Sequence, residues 1–335
     1  MTFLCRVTPP HILEEAAASF DACVAGTFRH LFGFGGPPCM PPLVQGSAPL
    51  PSSRLTCSPP ASKKRDPTIL SLAALTSRLD ADLEHLTSST PFNVARSKSA
   101  QGNHAPIWMV FSSCPLTLMT SSNFITAMKL RCGQLPFTPF PTICCCGQVL
   151  DHTVQESLTH LLHCSRQTGY TWSHRHNLIV TAIKKVCARY GLSFTAEPTF
   201  YHSDTEKRPD LTFHTLNKSI AVDVVCTDPT SDSHLAAAQT MGAAAQASAT
   251  AKNAKHKEAV EGLGHLFFPL AFEVFGHMHS DVDRFISRLQ GEVPEALAPS
   301  FKKEMLLSLA CAIQSGNAYM LQSSARLLLG HRLVR

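Results

Sequence analysis

Two aspartates and a set of cysteine and histidine side chains are the residues of this chain whose types and spacing can do chemistry. Asp210 follows a proline in "RPD", and Asp223 interrupts the otherwise apolar run "SIAVDVVC". In an extended strand, Ile220, Val222 and Val224 share one face and Ala221, Asp223 and Val225 the other. A carboxylate on so apolar a strand is costly unless it is paired, hydrogen-bonded or bound to a cation. If residues 211–213 and 219–225 form a hairpin around "TLNK", Asp210 lies at the edge of the first strand and approaches Asp223. Glu197, in "AEPTF", is available as a third acid. Such a set of hard, anionic oxygens suits Mg²⁺. That ion can activate a water and stabilise charge building on a phosphate, and a lysine would complete the site by stabilising the transition state. The alternative reading is that Asp210 caps a turn after Pro209 while Asp223 makes a lone salt bridge.

The second constellation is sulfur-rich. Cys144 and Cys146 are separated by one residue, and His160 and Cys164, four apart, share one face of a helix through "VQESLTHLLHC". Three thiolates and an imidazole form the closed tetrahedral set that structural Zn²⁺ favours. Cys145, His152 and His163 are substitutes within the cluster, and buried reduced cysteines are the alternative to a metal. The start, "MTFLCRVTPPHILEE", lacks a basic segment followed by a sustained apolar core, so no secretory signal is expected and the chain is expected inside the cell. The thirteen cysteines are then thiols or metal ligands rather than a disulfide framework. The longest apolar stretch, residues 266–275, contains a proline and an acid and falls short of the roughly 20 residues of a bilayer span, so no transmembrane helix is expected. A formal net charge of +5 is mild and neither demands nor excludes a polyanionic partner.

The elements that must position these residues follow from periodicity and punctuation. A chain of 335 residues is long enough for two domains. Residues 11–32 read as a helix and residues 36–62, rich in proline and serine, as a linker or loose loop. Apolar residues recur at helical spacing in "ILSLAALTSRLDADLEHL" and in "NFITAMKLRCG", with Ser122 as cap and Gly133 as terminator of the latter. After the Cys/His cluster come a helix through "SHRHNLIVTAIKKVCARYG", ended by Gly191, and strands near 193–200, 211–216 and 219–226. An alanine-rich helix over 234–260, a strand over 265–274, a helix over 280–290 and a closing helical pair broken near 315–317 complete the order. The expectation is an α/β (α+β) fold with a small mixed sheet flanked by helices.

The runs "CCCGQ", "HLLHC", "TGYTWSHRHNLI", "EPTF", "RPD" and "VDVVCTDP", in that order, resemble the C-terminal region of site-specific non-LTR retrotransposon proteins. Those proteins carry a zinc knuckle and a restriction-like endonuclease of the PD-(D/E)xK fold after their reverse transcriptase. The stretch "AKNAKHKEAVEGLGHLFFPLAFEVFGHMHSDVDRFISRLQ" and the tail "IQSGNAYML" are similar too. The resemblance implies metal-binding acids at Asp210 and Asp223, with Glu197 as the third acid. It implies a CCHC-type zinc knuckle at Cys144, Cys146, His160 and Cys164, associated with nucleic-acid binding beside the nuclease. The position two residues after the second acid, where the simplest motif has lysine, is Val225. Relatives place a functional lysine on the following helix, which makes Lys255 or Lys257 the candidate. Arg175, His176, Lys184, Lys185 and Arg208 become phosphate contacts beside such a site, where in isolation the helical ones read as a solvated face.

The organisation this implies is a helix with a loosely ordered proline- and serine-rich segment (1–66), a helical linker (67–143), the knuckle (144–166) and the endonuclease with C-terminal helices (167–335). No YADD-like or FADD-like polymerase motif is present. The expected protein is thus a nuclear, Zn²⁺- and Mg²⁺-dependent fragment that nicks a DNA target for primed reverse transcription. Its other partners would be element RNA and a reverse transcriptase supplied by a full-length element. The rival is a catalytically inactive nucleic-acid-binding relic, favoured by Val225. A PD-(D/E)xK repair or restriction protein would explain the acids but not the knuckle.

Overall fold

The computed structural model describes residues 90–329, apart from 110–118, 132, 134, 138, 152–154, 165, 167–170 and 202–207. The chain divides into two compact units, Met1–Ser77 and Arg78–Arg335. The first lies outside the described residues, as do the helices expected over 11–32 and 69–86, the proline-rich segment 36–62 and His152.

The second unit is built around one sheet. Strands β1 (Phe194–Ala196), β2 (Leu211–Phe213), β3 (Ile220–Thr227) and β4 (Leu266–Glu273) lie in that spatial order. The first three are antiparallel neighbours, and β3 and β4 are parallel. A parallel pair requires a crossover, supplied by the long helix α5 (Ala243–Gly262). Preceding it in chain order are α1 (Pro91–Ala100), α2 (Ser121–Arg131), α3 (Gln155–His163) and α4 (Thr171–Arg189). Following β4 are α6 (Ser280–Gln290) and α7 (Ala298–Leu329). This is the mixed α/β arrangement read from the sequence, a small mixed sheet flanked by helices, and it is compatible with a restriction-endonuclease-like fold. Among the described residues, no helix is long and apolar enough to cross a membrane.

Alternation along β3 and β4 assigns the two faces. Ala221 and Phe267 pack with Val260 of α5 and with Tyr201, and Val225 and Ala271 pack with Ala245 and Ala249. These small side chains let α5 approach the sheet closely. Its N-terminus, opened by Gly242 at φ 77°, is anchored by the buried Glu273 carboxylate, which accepts from the Ala245 N–H at 3.1 Å. On the other face, Phe213 packs at 5.4 Å between ring centres, in a tilted arrangement, against Phe285 of α6.

Several boundaries differ from the sequence reading for local reasons. The cap of α2 is Thr120, whose Oγ1 accepts from Asn123 N at 3.2 Å, and not Ser122. Gly133, at φ 68°, follows the end of that helix and Gly191, at φ 74°, the end of α4, as expected. The strand expected over 193–200 stops at Ala196 because Glu197 turns into the left-handed region at φ 47°. The strand expected over 211–216 ends at Phe213. The alanine-rich helix begins at Ala243 rather than 234, since the left-handed Gly242 interrupts it.

The expected break near 315–317 is absent: α7 is continuous over 32 residues. Those polar residues meet a buried crossing with α4. Asn317 Oδ1 accepts from Arg175 Nη1 at 3.0 Å, and its amide donates to Val274 O at 2.6 Å. A Cβ built on Gly316 would stand 2.6 Å from Arg175 Cγ and 3.0 Å from its Cα. Helix-breaking residue types are therefore retained for contact. Gly316→Ala should lower stability by up to about 2 kcal/mol in chemical denaturation, because the clash with Arg175, at an overpacking cost of about 1–3 kcal/mol, exceeds the gain of about 1 kcal/mol in helix propensity.

Candidate metal centre and acidic cleft

The register of the antiparallel strands sets the geometry of the site. Leu211 pairs with Val222 and Ala196 with Leu211. Continuing each register by one residue sets Asp210 opposite Asp223 and Glu197 opposite Asp210, and the Glu197 N–H accordingly donates to Asp210 O at 2.9 Å. The three acids thus stand at one end of the sheet, Glu197 just after β1, Asp210 just before β2 and Asp223 within β3. All three line a cleft of about 530 Å³, together with His176, Arg208, Lys252 and Lys255.

Each central acid is held by donors. Asp210 Oδ2 accepts from the Val224 N–H at 2.6 Å and lies 3.1 Å from His176 Nε2. Asp223 is buried, and its Oδ2 lies 2.8 Å from Lys252 Nζ and 3.0 Å from His256 Nε2. Burial, with the Asp223 charge behind it, raises the Asp210 carboxyl against the opposing His176 and Val224 donors. Burial works the same way on Asp223, but His256 and Lys252 together outweigh it and hold that carboxyl well below the usual range. For His176, burial disfavours the imidazolium, yet the hydrogen bond and charge of Asp210 prevail and its pKa is raised. Asp210 and Asp223 offer oxygens of the hard, anionic kind that Mg²⁺ takes, with Glu197, paired to Arg208, on the wall of the same cleft.

The structure brings Asp210, Asp223, Glu197, His176, Arg208 and Lys255 to one cleft and gives the rest of the expected set other surroundings. Lys257 sits about 140° around α5 from Lys252 and points to Glu261 at 3.9 Å, away from the cleft. Lys252, one turn nearer the helix start, is the lysine that meets Asp223; its i, i+4 spacing with His256 was the available signal. Arg175 lines the cleft wall but is buried, with its guanidinium donating to Asn317 and to Cys226 O, which leaves it a packing role in place of an exposed phosphate contact. Lys184 and Lys185 lie two turns further along α4, outside the cleft. Arg208 pairs with Glu197 at 2.8 Å.

Beside the C-terminal ends of β3 and β4, Cys144, Cys146, His160 and Cys164 converge, their ligand atoms all within 4.8 Å of one another. Cys144 Sγ lies 3.5 Å from Cys164 Sγ, and Cys146 Sγ 3.3 Å from His160 Nε2. A tetrahedral zinc site with ordinary bond lengths has ligand–ligand edges of roughly 3.6–3.8 Å, so the set fits such an ion with small shifts. Burial and the neighbouring thiols push Cys144 up to about 12, a crowding that a bound cation would relieve. Burial and the His163 charge keep His160 low, as a neutral ligand requires. Cys145, exposed, stands 3.8 Å from Cys144 outside the set, and His163 Nδ1 instead meets the buried Asp228 at 2.9 Å. Cys144, Leu161, Leu162 and Cys164 share a core with Val274, Phe275, Met320 and Leu321, so the cluster is built into the same unit as the sheet.

A stretch of 112 residues, 31% of the chain, is 32% identical to a retrovirus-related Pol polyprotein from the type-1 retrotransposable element R2 of Popillia japonica. The chain spans about a quarter, 24%, of that protein's length. The match supports a relation to non-LTR retrotransposon proteins. No protein-family model matches the chain.

The cluster's geometry makes a composition test direct. Purified protein should carry about one equivalent of zinc. Cys146→Ser and Cys164→Ser should each lose most of it by atomic emission, whereas Cys145→Ser should keep it.

Proposed function

We propose that this chain is the zinc-knuckle and endonuclease portion of a non-LTR retrotransposon protein, a metal-dependent nuclease that nicks target DNA to provide a primer for reverse transcription. The observation that carries the proposal is the set Glu197, Asp210 and Asp223 lining one cleft with Lys252 and Lys255. The similarity to an R2 Pol polyprotein supports it. On this reading the partners are DNA, element RNA and a reverse transcriptase supplied by a full-length element, the place of action is the nucleus, and the units are those read from the sequence.

Asp210 and Asp223 would hold Mg²⁺, with Glu197 at the rim. The ion would supply Lewis-acid stabilisation of the charge that builds on a phosphodiester and ease deprotonation of water. This chain's own residues do the rest. His176 and the Val224 N–H fix the Asp210 carboxylate. Lys252 orients Asp223 and brings a partly exposed ammonium to the cleft. Lys255 and Arg208 present cations at the rim, where they attract and position a phosphate backbone without reading its bases. Cys144, Cys146, His160 and Cys164 would hold a structural zinc. The inactive-relic reading rests on Val225 in place of lysine, and Lys252 answers that objection by supplying an amine to the same acid from the helix.

Supercoiled plasmid incubated with the full chain and Mg²⁺ or Mn²⁺ tests the proposal. Nicking should require the cation and fall by about 100-fold or more in Asp210→Asn, Asp223→Asn and Lys252→Met, while Lys257→Ala stays near wild type. Equal nicking by Asp223→Asn and wild type would eliminate the nuclease.

A further inference from the structure

His256 is a fully buried imidazole against the cleft residue Asp223, with 0% of its surface exposed. A core position on an alanine-rich helix is served at lower cost by an apolar side chain, since a buried polar group is destabilising unless it is hydrogen-bonded. Its neighbours show what the imidazole adds. One side of the ring faces Phe267 at 5.7 Å between centres, and Nε2 lies 3.0 Å from Asp223 Oδ2. The same oxygen receives Lys252 Nζ at 2.8 Å. Two side-chain nitrogens one helical turn apart therefore stand within 3.0 Å of one oxygen of a carboxylate that is itself only 4% exposed.

The consequence is directional. A carboxylate on a strand turns about its Cβ–Cγ bond through a broad, two-fold well. A single flexible lysine follows that rotation, because its ammonium is a rotatable point charge on a long stem. An imidazole fixed in a packed interior does not follow. With both α5 nitrogens against Oδ2, Oδ1 is the oxygen that these two side chains leave for a cation.

The geometry points to His256 as a positioning residue that locks Asp223 in the orientation in which it ligates a divalent cation. The inference rests on the reading of Asp223 as a cation ligand, and it goes beyond that reading by assigning the neighbour that makes the acid competent. His256 touches neither substrate nor reacting atoms.

The scaffold is arranged for this contact. The Ala245, Ala249, Ala271 and Val225 contact brings α5 close to the sheet, and the Glu273 carboxylate anchors the helix start. Val260 and Phe267 pack one turn beyond, fixing the far side of the same helix segment. A side chain as short as histidine reaches Asp223 only because the helix lies so near.

The test compares variants that differ in reach, using zinc-replete full-length chain. His256→Gln carries a donor at a distance close to that of Nε2, His256→Asn carries one too short to arrive, and His256→Leu carries none. Mn²⁺ affinity is read by calorimetry or by the spin-resonance signal of the unbound ion, with thermal unfolding as the check that each variant is folded. Leu and Asn should weaken Mn²⁺ binding at least tenfold, and Gln should stay within a few-fold of wild type. Asn and Gln are both polar, so a loss confined to Asn separates reach from general disturbance of the core, even if Leu fails to fold. A folded Asn variant that binds Mn²⁺ like wild type overturns the proposal, as does a wild-type protein that binds no Mn²⁺ through Asp223. If binding follows the predicted order but no variant nicks DNA, the positioning role stands and the nuclease reading falls.

Discussion

Asp210 and Asp223 face one another across an antiparallel pair, one largely and one almost wholly out of water, and their mutual repulsion is the constraint around which the unit is arranged. Two such carboxylates in a low-dielectric setting require positive charge or donated hydrogens close by. The chain meets that need from three directions. The β3 backbone donates through Val224, α4 contributes His176, and α5 contributes Lys252 together with His256. No single element could do this, because each acid presents a different side to the fold. The sheet needs a helix on the Asp223 face and another past the Asp210 edge, and the order of elements provides both.

The Cys/His cluster is tied into the same arrangement by packing and by polar contacts. Cys226, near the end of β3, packs against the core that contains Cys144, Leu161 and Cys164. Two residues further, Asp228 is buried and accepts from Thr230 N at 2.9 Å and Oγ1 at 2.6 Å while meeting His163 of α3 at 2.9 Å. The carbonyl of Cys226 also takes a hydrogen bond from Arg175, the residue before His176. Strand β3 is therefore held at its acidic centre by α5 and at its far end by α3 and α4. A metal at the cluster would stiffen the support of the strand that carries Asp223, a coupling that a separate, flexibly linked knuckle would not have.

Much of this was legible in the sequence, and the parts that were not share a physical cause. The spacing of 13 residues between Asp210 and Asp223, 223 − 210, announced a hairpin. The same spacing from Glu197 to Asp210, 210 − 197, repeats it, which is why three acids share one end of the sheet. The four candidate metal ligands converge as their spacing implied, since CxC and HxxxC each fix a local geometry. What failed was long-range. Arg175 and Asn317, separated by 142 positions, became partners across a buried crossing, and this turned an expected phosphate contact into a packing residue and an expected helix break into continuous helix. The choice among Lys252, Lys255 and Lys257 depended on the rotation of α5 about its own axis. That rotation is set by which alanines meet the sheet, and a helix with alanines on several faces does not disclose it.

Val225 and Lys252 are best understood together. On a strand, residues 223 and 225 share a face, so a lysine at 225 would stand beside Asp223 and also beneath α5. At that position Val225 packs with Ala245, Ala249 and Ala271, in the contact that sets the spacing between helix and sheet. A long cationic side chain there would wedge the helix outward, at the overpacking cost of about 1–3 kcal/mol that such insertions carry, and would withdraw both Lys252 and His256 from Asp223. An amine delivered by the helix instead requires the strand position to be small or compact and apolar. The hydrophobic residue where the simplest motif has lysine and the lysine one turn before His256 are thus two sides of one packing solution, in which the cation reaches the acid from above the sheet instead of along it.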